Sequence, residues 1–583
     1  MRWATIGRWV VTSAWPYINS VPHLGNMIGS VLSADVYARF LRMIGEDVVF
    51  VSGSDEHGTV IEVEARRKGV TPKELTDVSH EYIVKLWELW GISFDNYTRT
   101  ESEIHKDFVQ NFLTRVYENG FVEEREQVIP YCSRDNIYLP DRFVEGVCPY
   151  CGFEGARGDQ CDNCGRLLEP DQLVNPRCVL CGSPPVFRSR RHWFFRLDML
   201  EGEILSWITG HEFLEENVRN FTVSWIKTTG LAPRSLTRDN KWGIPAPFPN
   251  SGDKTVYVWF DALLGYLSAT KEYFSRLGRE SEWVKYWLDG ESRTAYFIGK
   301  DNIPFHAVIL PALLMATRDR YNLPTVISAT EYLMYEGRKF SKSRRVGVWI
   351  DEALKIVDAV DYWRYSLIRM RPEDKDTNFK WSEFVRFVNN ELNDHIGNLI
   401  HRVLTLINRF FDGVVEDVSP AGDVDAEFRK FIDDSWNSYK SLMLRARLRD
   451  ASELIVKLGE RGNQYVNVKA PWAKVREDAE DAKVTLNLGF TTVLTLAVML
   501  YPITPGSAER IFRVINVSSE KPLVKEHPLE LVRLPHRIGR PEQIFTKLPQ
   551  SLVKTLLNDD ERERYLEGLR NELNNERPEV LRF

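Results

Sequence analysis

Six of the seven cysteines stand in three Cys-x-x-Cys pairs, the spacing with which thiolates hold a tetrahedral metal ion. Cys148 and Cys151 are followed, after nine intervening residues, by Cys161 and Cys164, so one short loop can bring both pairs onto one zinc. Gly152 and Gly165 directly follow the second cysteine of each pair, where a tight knuckle turn needs a residue tolerant of positive φ. Cys178 and Cys181 are then half a site. The remaining Cys132 has Asp135 three residues on, and a carboxylate is an acceptable zinc ligand, so Cys132, Asp135, Cys178 and Cys181 would complete a second tetrahedron. One or two zincs are expected. Both would be structural, with every coordination position filled by protein.

A second constellation is built for phosphate. Lys339-Phe340-Ser341-Lys342-Ser343 places two lysines and two hydroxyls at fixed offsets, and its bland alternative is a solvated basic loop. His23-x-Gly25 alone says little beyond a helix start. Together they offer cations, an imidazole and helix amides, the donors needed where negative charge builds on phosphate oxygens.

These groups need a frame. Trp9 to Ser13 reads as a strand, Gly29 to Ile44 as a helix and Asp47 to Val51 as a second strand, a βαβ unit that implies a parallel sheet with its ligand crevice at the carboxyl ends of the strands. His23-Leu24-Gly25-Asn26 and Gly53-Ser54-Asp55-Glu56-His57-Gly58 follow the two strands. From about Glu118 to Arg188, Gly, Pro, Arg, Asp and Cys replace the apolar periodicity, as in an insertion. Sheet character returns with strands expected at Thr255 to Phe260 and Ala295 to Ile298 and a helix at Pro304 to Ala316. Beyond Phe384 one apolar stripe runs through Phe387, Val388, Leu392, Ile396, Leu399, Val403, Leu406 and Phe410, the mark of one long helix. A charged tail, Asn558 to Arg577, reads as a solvated helix that could dock back on the first domain. The expected fold is an α/β Rossmann-like domain with a zinc-binding insertion, followed by an all-α bundle.

The chain has 583 residues, 76 basic and 83 acidic, with a formal charge of -7. About three or four domains fit that length. The charge excludes a protein that coats nucleic acid along its whole surface, leaving local patches. The longest apolar stretch, Leu488 to Leu500, is broken by Gly489 and threonines and falls short of the roughly 20 residues of a membrane span. Nothing at the start reads as a targeting segment, so a cytoplasmic protein is expected.

His23 at a helix start, with a Lys-Ser loop much later in the chain, resembles the HIGH and KMSKS signatures of class I aminoacyl-tRNA synthetases. Over nearly its full length the chain resembles the methionyl-tRNA synthetases in their shorter archaeal form. The stretches that carry the resemblance are SAWPYINSVPHLGN, GSDEHGT, YLPDRFVEG, YVWFDALLGY, FIGKDN, KFSKS and KAPW. It implies activation of L-methionine by ATP with Mg2+ and transfer to tRNA(Met). It makes His23, Asn26, Lys339 and Lys342 catalytic, and adds Gly25, Gly299, Lys300, Asp301, Asn302 and Ser341 to them as ATP contacts. The methionine pocket maps onto Trp15, Tyr17, Asp55, Trp259, Tyr266, Phe305 and His306, with Arg238 as a further active-site arginine. Anticodon contacts map onto Asn398, Arg402 and Trp472. Asn26 stands where the second histidine of the signature often lies, Trp15 where many relatives have Leu, and Leu263 where they have Pro. The implied division is 1–116 and 236–330 for the two halves of the catalytic domain, 117–235 for the insertion, 331–382 for the Lys-Ser loop region, 383–535 for the anticodon domain and 536–583 for the tail. A monomer is expected, aided by a separate tRNA-binding protein. The rival readings are another class I synthetase such as one for cysteine, a non-catalytic tRNA-binding protein, and a nucleotidyltransferase making other adenylates.

Overall fold

The computed structural model describes residues 7–139, 143–211, 214–342, 345–420, 422–518 and 522–582. Ser343 of the lysine-serine loop and residues 140 to 142 of YLPDRFVEG lie outside the described residues. The central sheet is built from β1 (Arg8–Ser13), β2 (Asp47–Ser54), β3 (Asn96–Arg99), β4 (Arg293–Gly299) and β5 (Val326–Thr330), all parallel, in the order β5-β4-β1-β2-β3. β1, β2, β4 and β5 are buried along nearly their whole length, on both alternating faces, as suits strands covered on both sides. Between β1 and β2 the chain forms a short turn Leu24–Asn26, a π-helical stretch Met27–Val31 and α1 (Leu32–Met43). The order reverses between β1 and β4, so β1 is the switch point at which a crevice opens.

The insertion separates β3 from β4 in sequence. It leaves after α2 (Glu103–Glu118) and runs up and back along an antiparallel ribbon, Val122–Cys132 with Val186–Phe195, with the cysteine knuckles at its far end. One expectation fails here. Only Thr255–Val256 of the segment 255–260 is extended, and it pairs antiparallel with Thr237–Arg238 outside the main sheet; from Val258 the chain is α3 (Val258–Arg276). Fourteen of its nineteen residues are buried. A helix buried on nearly every side shows no polar face, so a short window of it cannot be told from a buried strand.

After α4 (Ile350–Ile356) the chain enters the helical part. The apolar stripe is continuous, but the helix is not uniform: Phe387–Gly397 is π-helical and passes directly into α5 (Asn398–Phe411). Its apolar side packs with α7 (Leu448–Lys469) and α9 (Ala479–Leu500), on both of which α6 (Asp423–Leu444) lies, while α8 (Pro471–Glu477) packs on α9. Among the described residues α9 alone is long and apolar enough to cross a membrane, and its apolar window is 94% buried inside the protein. The charged tail is not free in solvent but docks on the segment after the lysine-serine loop. In α10 (Asp559–Glu576) Arg570 donates to Gly347 O at 2.6 Å, and just beyond it the guanidinium of Arg577 clasps both oxygens of Asp351 at 2.7 and 2.8 Å.

Candidate active site

A cleft of about 610 Å³ lies at the carboxyl ends of the parallel strands. One wall is the segment that leaves β1. His23 caps the turn that follows it: its Nδ1 accepts from the Asn26 N–H at 3.2 Å, and the Asn26 side-chain oxygen accepts the His23 N–H at 3.2 Å. Accepting at Nδ1 puts the ring proton on Nε2. Burial, and then the ammonium of Lys342, push His23 down to about 3, so the ring is neutral and acts as a donor, not a cation. Asn26 therefore spends its oxygen on the cap and keeps its NH2 for the cleft. Gly25 is held open beside the His23 ring, where an added Cβ would come within 3.0 Å of it.

The second wall carries the aromatic residues. Trp259 on α3 stacks on Phe305 with ring centres 3.9 Å apart and 8° between planes. Tyr266, two turns along, reaches His306 Nε2 at 2.7 Å, and His306 Nδ1 meets Asn302 O at 3.0 Å. That pairing makes Nδ1 the donor and Nε2 the acceptor, and burial holds His306 near 4, again neutral. Trp15 lies edge-on to Tyr266 at 6.4 Å, and its indole fills the space left by Gly53 and Gly265, where an added Cβ would come within 2.6 and 2.7 Å. Tyr17 meets the Trp259 ring edge-on at 6.3 Å. At the floor, Asp55 is buried, and among the described residues its Oδ1 has no hydrogen-bond partner. Burial first, then the nearby Asp261 carboxylate, pushes Asp55 well above the ordinary carboxylate range.

The third wall is the end of β4 and the lysine-serine loop. Gly299, Asp301, Asn302, Lys339 and Lys342 border the cleft. Burial pushes Lys342 down to about 8, and Lys339 lies with its ammonium 5.1 Å from the centre of the Tyr332 ring. Four expected residues stand off the walls. Lys300 turns away to Glu331 at 2.5 Å and Asp376 at 3.1 Å, Ser341 bridges to Val346 through its backbone, Phe305 sits behind Trp259, and Arg238 lies 3.6 Å over the Tyr257 ring.

Both cysteine groups come together. Cys148, Cys151, Cys161 and Cys164 form one cluster, and Cys132, Asp135, Cys178 and Cys181 the other, with ligand atoms all within 4.8 Å of one another. Sulfur pairs stand 3.5 to 3.9 Å apart, against about 3.8 Å for the edge of a tetrahedron with metal–sulfur bonds of about 2.3 Å, so both sets can hold a metal ion. Gly152, Gly165 and Gly182 have φ of 74°, 71° and 70°, and Asn136, after Asp135, has φ 55°. All four knuckles therefore use the same left-handed turn.

Residues 9–404 match the family described as tRNA synthetases class I (M), and residues 415–565 match the anticodon binding domain of methionyl tRNA ligase. The chain is 53% identical over 582 residues to the methionine–tRNA ligase of Sulfolobus acidocaldarius, covering 98% of this chain and 100% of the relative. It belongs to the methionyl-tRNA synthetase family. The methionine–tRNA ligase of Aeropyrum pernix is 52% identical over 581 residues, 99% of this chain and 100% of the relative. The crystal structure of Mycobacterium tuberculosis methionyl-tRNA synthetase bound by methionyl-adenylate superimposes with a TM-score of 0.75 at 25% identity, covering 93% of this chain and 100% of that one. Membership makes this synthetase an ATP-dependent aminoacyl-tRNA ligase.

In the helical part of this synthetase, the Arg402 guanidinium lies 4.6 Å from the centre of the Trp472 ring, and Asn398 is exposed one turn earlier on α5. Three cleft features escape the sequence reading. Phe340 stacks on His23 at 4.5 Å and 18°, folding the lysine-serine loop onto the β1 wall. Tyr332 also borders the cleft and donates to Asp301 at 2.5 Å. Gln160, Asp162 and Gly165 of the Cys161–Cys164 knuckle form part of the rim. An aromatic inside a lysine-serine loop is a readable sign for the first; the knuckle's approach has no local signal.

Proposed function

We propose that the chain activates L-methionine with ATP and transfers it to tRNA(Met), and that the cleft residues divide this work as follows. One observation carries the reading: a buried carboxylate, Asp55, with one oxygen that has no partner among the described residues, lies beneath an aromatic wall in the cleft that the loop lysines border. An amino acid brings the matching groups. Its ammonium pairs with Asp55, and its thioether lies against Trp15, Tyr17, Trp259 and Tyr266, where sulfur gains from aromatic contact. Phe305 backs Trp259, and His306, neutral and fixed by Tyr266 and Asn302 O, shapes the far end.

The methionine carboxylate attacks the α-phosphate of ATP and pyrophosphate leaves. His23 donates from Nε2 to a phosphate oxygen, and Asn26 donates from its amide. Gly25 leaves room for the adenine, with Gly299, Asp301 and Asn302 towards the ribose. Lys339 and Lys342 neutralise the transition state and the leaving group, with Mg2+ accompanying ATP. Both cysteine clusters hold zinc, a reading supported by their sulfur spacing; the ion cross-links the insertion and has no open position for chemistry. Asn398, Arg402 and Trp472 take the anticodon, an amide and guanidinium reading base edges while the indole stacks. The synthetase works in the cytoplasm, as a monomer that a separate tRNA-binding protein can assist.

The test is ATP–pyrophosphate exchange across the twenty amino acids, followed by charging of tRNA(Met). Exchange with methionine above all others is expected. No exchange with methionine overturns the reading.

A further inference from the structure

Behind the cleft floor five side chains from four elements form one hydrogen-bonded row, all but Glu101 fully buried. His57, in the turn after β2, sets Nδ1 2.6 Å from Asp261 Oδ2 and Nε2 2.8 Å from Glu101 Oε2. The other Asp261 oxygen is 2.6 Å from His105 Nε2, and His105 Nδ1 is 2.8 Å from Ser268 Oγ. Asp261 and Ser268 are on α3, His105 is on α2, and Glu101 follows β3. His57, His105 and Asp261 are each no more than 1% exposed, and none of the five borders the cleft.

The geometry fixes a charge. A carboxylate only accepts, so two carboxylates at hydrogen-bond distance from both nitrogens of one ring require both nitrogens to carry protons. His57 is therefore an imidazolium, and the Asp261 and Glu101 partners push it up to about 10 against its burial. Asp55 lies two residues before it and accepts the backbone N–H of His57. The groups facing Asp55 oppose one another: Asp261 and Glu56 favour its protonation, and His57 favours its anion. Glu56 is itself held by Arg99 at 2.8 Å, and Glu101 by Lys106 at 2.5 Å.

We propose that His57, clamped as an imidazolium between Asp261 and Glu101, is a positioning residue that keeps Asp55 the anion that receives the substrate ammonium. The inference rests on the reading of Asp55 given above. A buried carboxylate beside a second buried carboxylate would otherwise take up a proton and lose its attraction for a cation. His57 sits where it can prevent this, since it pairs with one carboxylate and presents its backbone N–H to the other.

The test is methionine-dependent ATP–pyrophosphate exchange on the full chain from pH 6.5 to 9. In His57→Gln, KM for methionine should rise about tenfold at pH 7, the scale of one lost charge beside a carboxylate, with KM for ATP within about twofold. The gap should close as pH rises and Asp55 ionises unaided. Adding Asp261→Asn to His57→Gln removes the opposing carboxylate and should lower KM for methionine again. Equal rises in both KM values, a pH-independent defect, or a double variant worse than the single one overturns the proposal. If His57→Gln does not fold, Glu101→Gln is read in its place; a smaller rise of the same pH dependence supports the proposal, and an unchanged KM overturns it. Asp55→Asn separates the two levels. If it leaves KM for methionine unchanged, the Asp55 assignment falls and this inference with it; if it raises KM while the His57 and Glu101 variants do not, only the role of His57 falls.

Discussion

Four histidines in or near the cleft, among them His80 with Nδ1 2.8 Å from Ser54 Oγ at the end of β2, divide into two electrical states, one set by burial and one by carboxylate partners. His23, His80 and His306 are pushed down to about 3, 4 and 4, chiefly by burial, while His57 is pushed up to about 10 by carboxylates. Each state has a sign in the stability. The three depressed groups bind protons in the unfolded chain from about 6.5 downwards but not in the folded one, so stability falls as pH drops from 6.5 towards 4. His57 stabilises fully below 6.5, and that contribution is lost as pH rises through about 10. Thermal melting followed over pH 4 to 10 should therefore show a maximum between these limits, and His57→Gln should flatten the alkaline side alone. Asp55 adds an effect on function. Because it is raised well above the ordinary carboxylate range, KM for methionine should climb on acidification at a pH where an exposed carboxylate would still be ionised, with KM for ATP less affected. Much of this site is legible in sequence, because Lys339 and Lys342 stand in a recognisable loop spacing and the family resemblance then picks out His23 and Gly25. The charge states are not. The neutrality of His23 comes from its burial and from Lys342, in a loop far along the chain, and the charge of His57 comes from Asp261, on a helix beyond the whole insertion.

At the scale of the element, a knuckle is a turn plus its ligands. Three knuckles announce themselves as Cys-x-x-Cys-Gly, and the fourth, Cys132 to Asp135, ends in Asn136 in the same left-handed turn. Asn tolerates that conformation better than other side-chain-bearing residues. A Cys-x-x-Asp-Asn sequence is thus a disguised form of the same element, legible once the turn is considered along with the ligand. Metal analysis should return two zincs per chain, and Asp135→Ala should reduce this to one while Cys148, Cys151, Cys161 and Cys164 keep theirs; two retained would exclude Asp135 as a ligand. The helix that carries Asn398 and Arg402 is also more than its apolar stripe. Its π-helical segment, Phe387–Gly397, ends one residue before Asn398, so the wider turn sets the direction in which Asn398 and Arg402 project. Periodicity predicts the helix but not the wider turn. Trp472→Ala removes the ring under Arg402 and lies in a separate part of the fold from the cleft, so methionine-dependent pyrophosphate exchange should stay within about twofold while tRNA charging falls by about tenfold or more, the scale of one lost base stack. Equal loss of both would refute the anticodon role.

At the scale of the whole molecule, α10 and the arginine just after it tie the tail to the segment that braces the cleft. Val348 O accepts the Leu24 N–H at 3.0 Å, and Pro22 O accepts the Ile350 N–H at 3.0 Å, so residues 348 to 350 brace the start of the His23 turn. Arg570 holds Gly347 O, and Arg577 holds Asp351, on the two sides of that brace. A charged tail reads in sequence as a solvated helix, because composition cannot show that one arginine at its end is buried against a partner on the far side of the helical domain in sequence. Arg577 is 1% exposed and Asp351 4%, so removing the arginine strands a buried carboxylate. Breaking such a pair from one side costs about 3–5 kcal/mol, whereas removing both charges costs far less. Arg577→Met should therefore lower the melting temperature, and Asp351→Asn in the same chain should recover most of the loss. The kinetic consequence follows from what the brace supports. If His23 faces phosphate, as proposed, while Asp55 and the aromatic wall rest on β2 and α3, the single variant should raise KM for ATP more than KM for methionine, and the double variant should bring it back. Should both KM values move together, or should the double variant melt no higher than the single one, the tail would be a passive cover and not the strap that holds the phosphate side of the cleft in place.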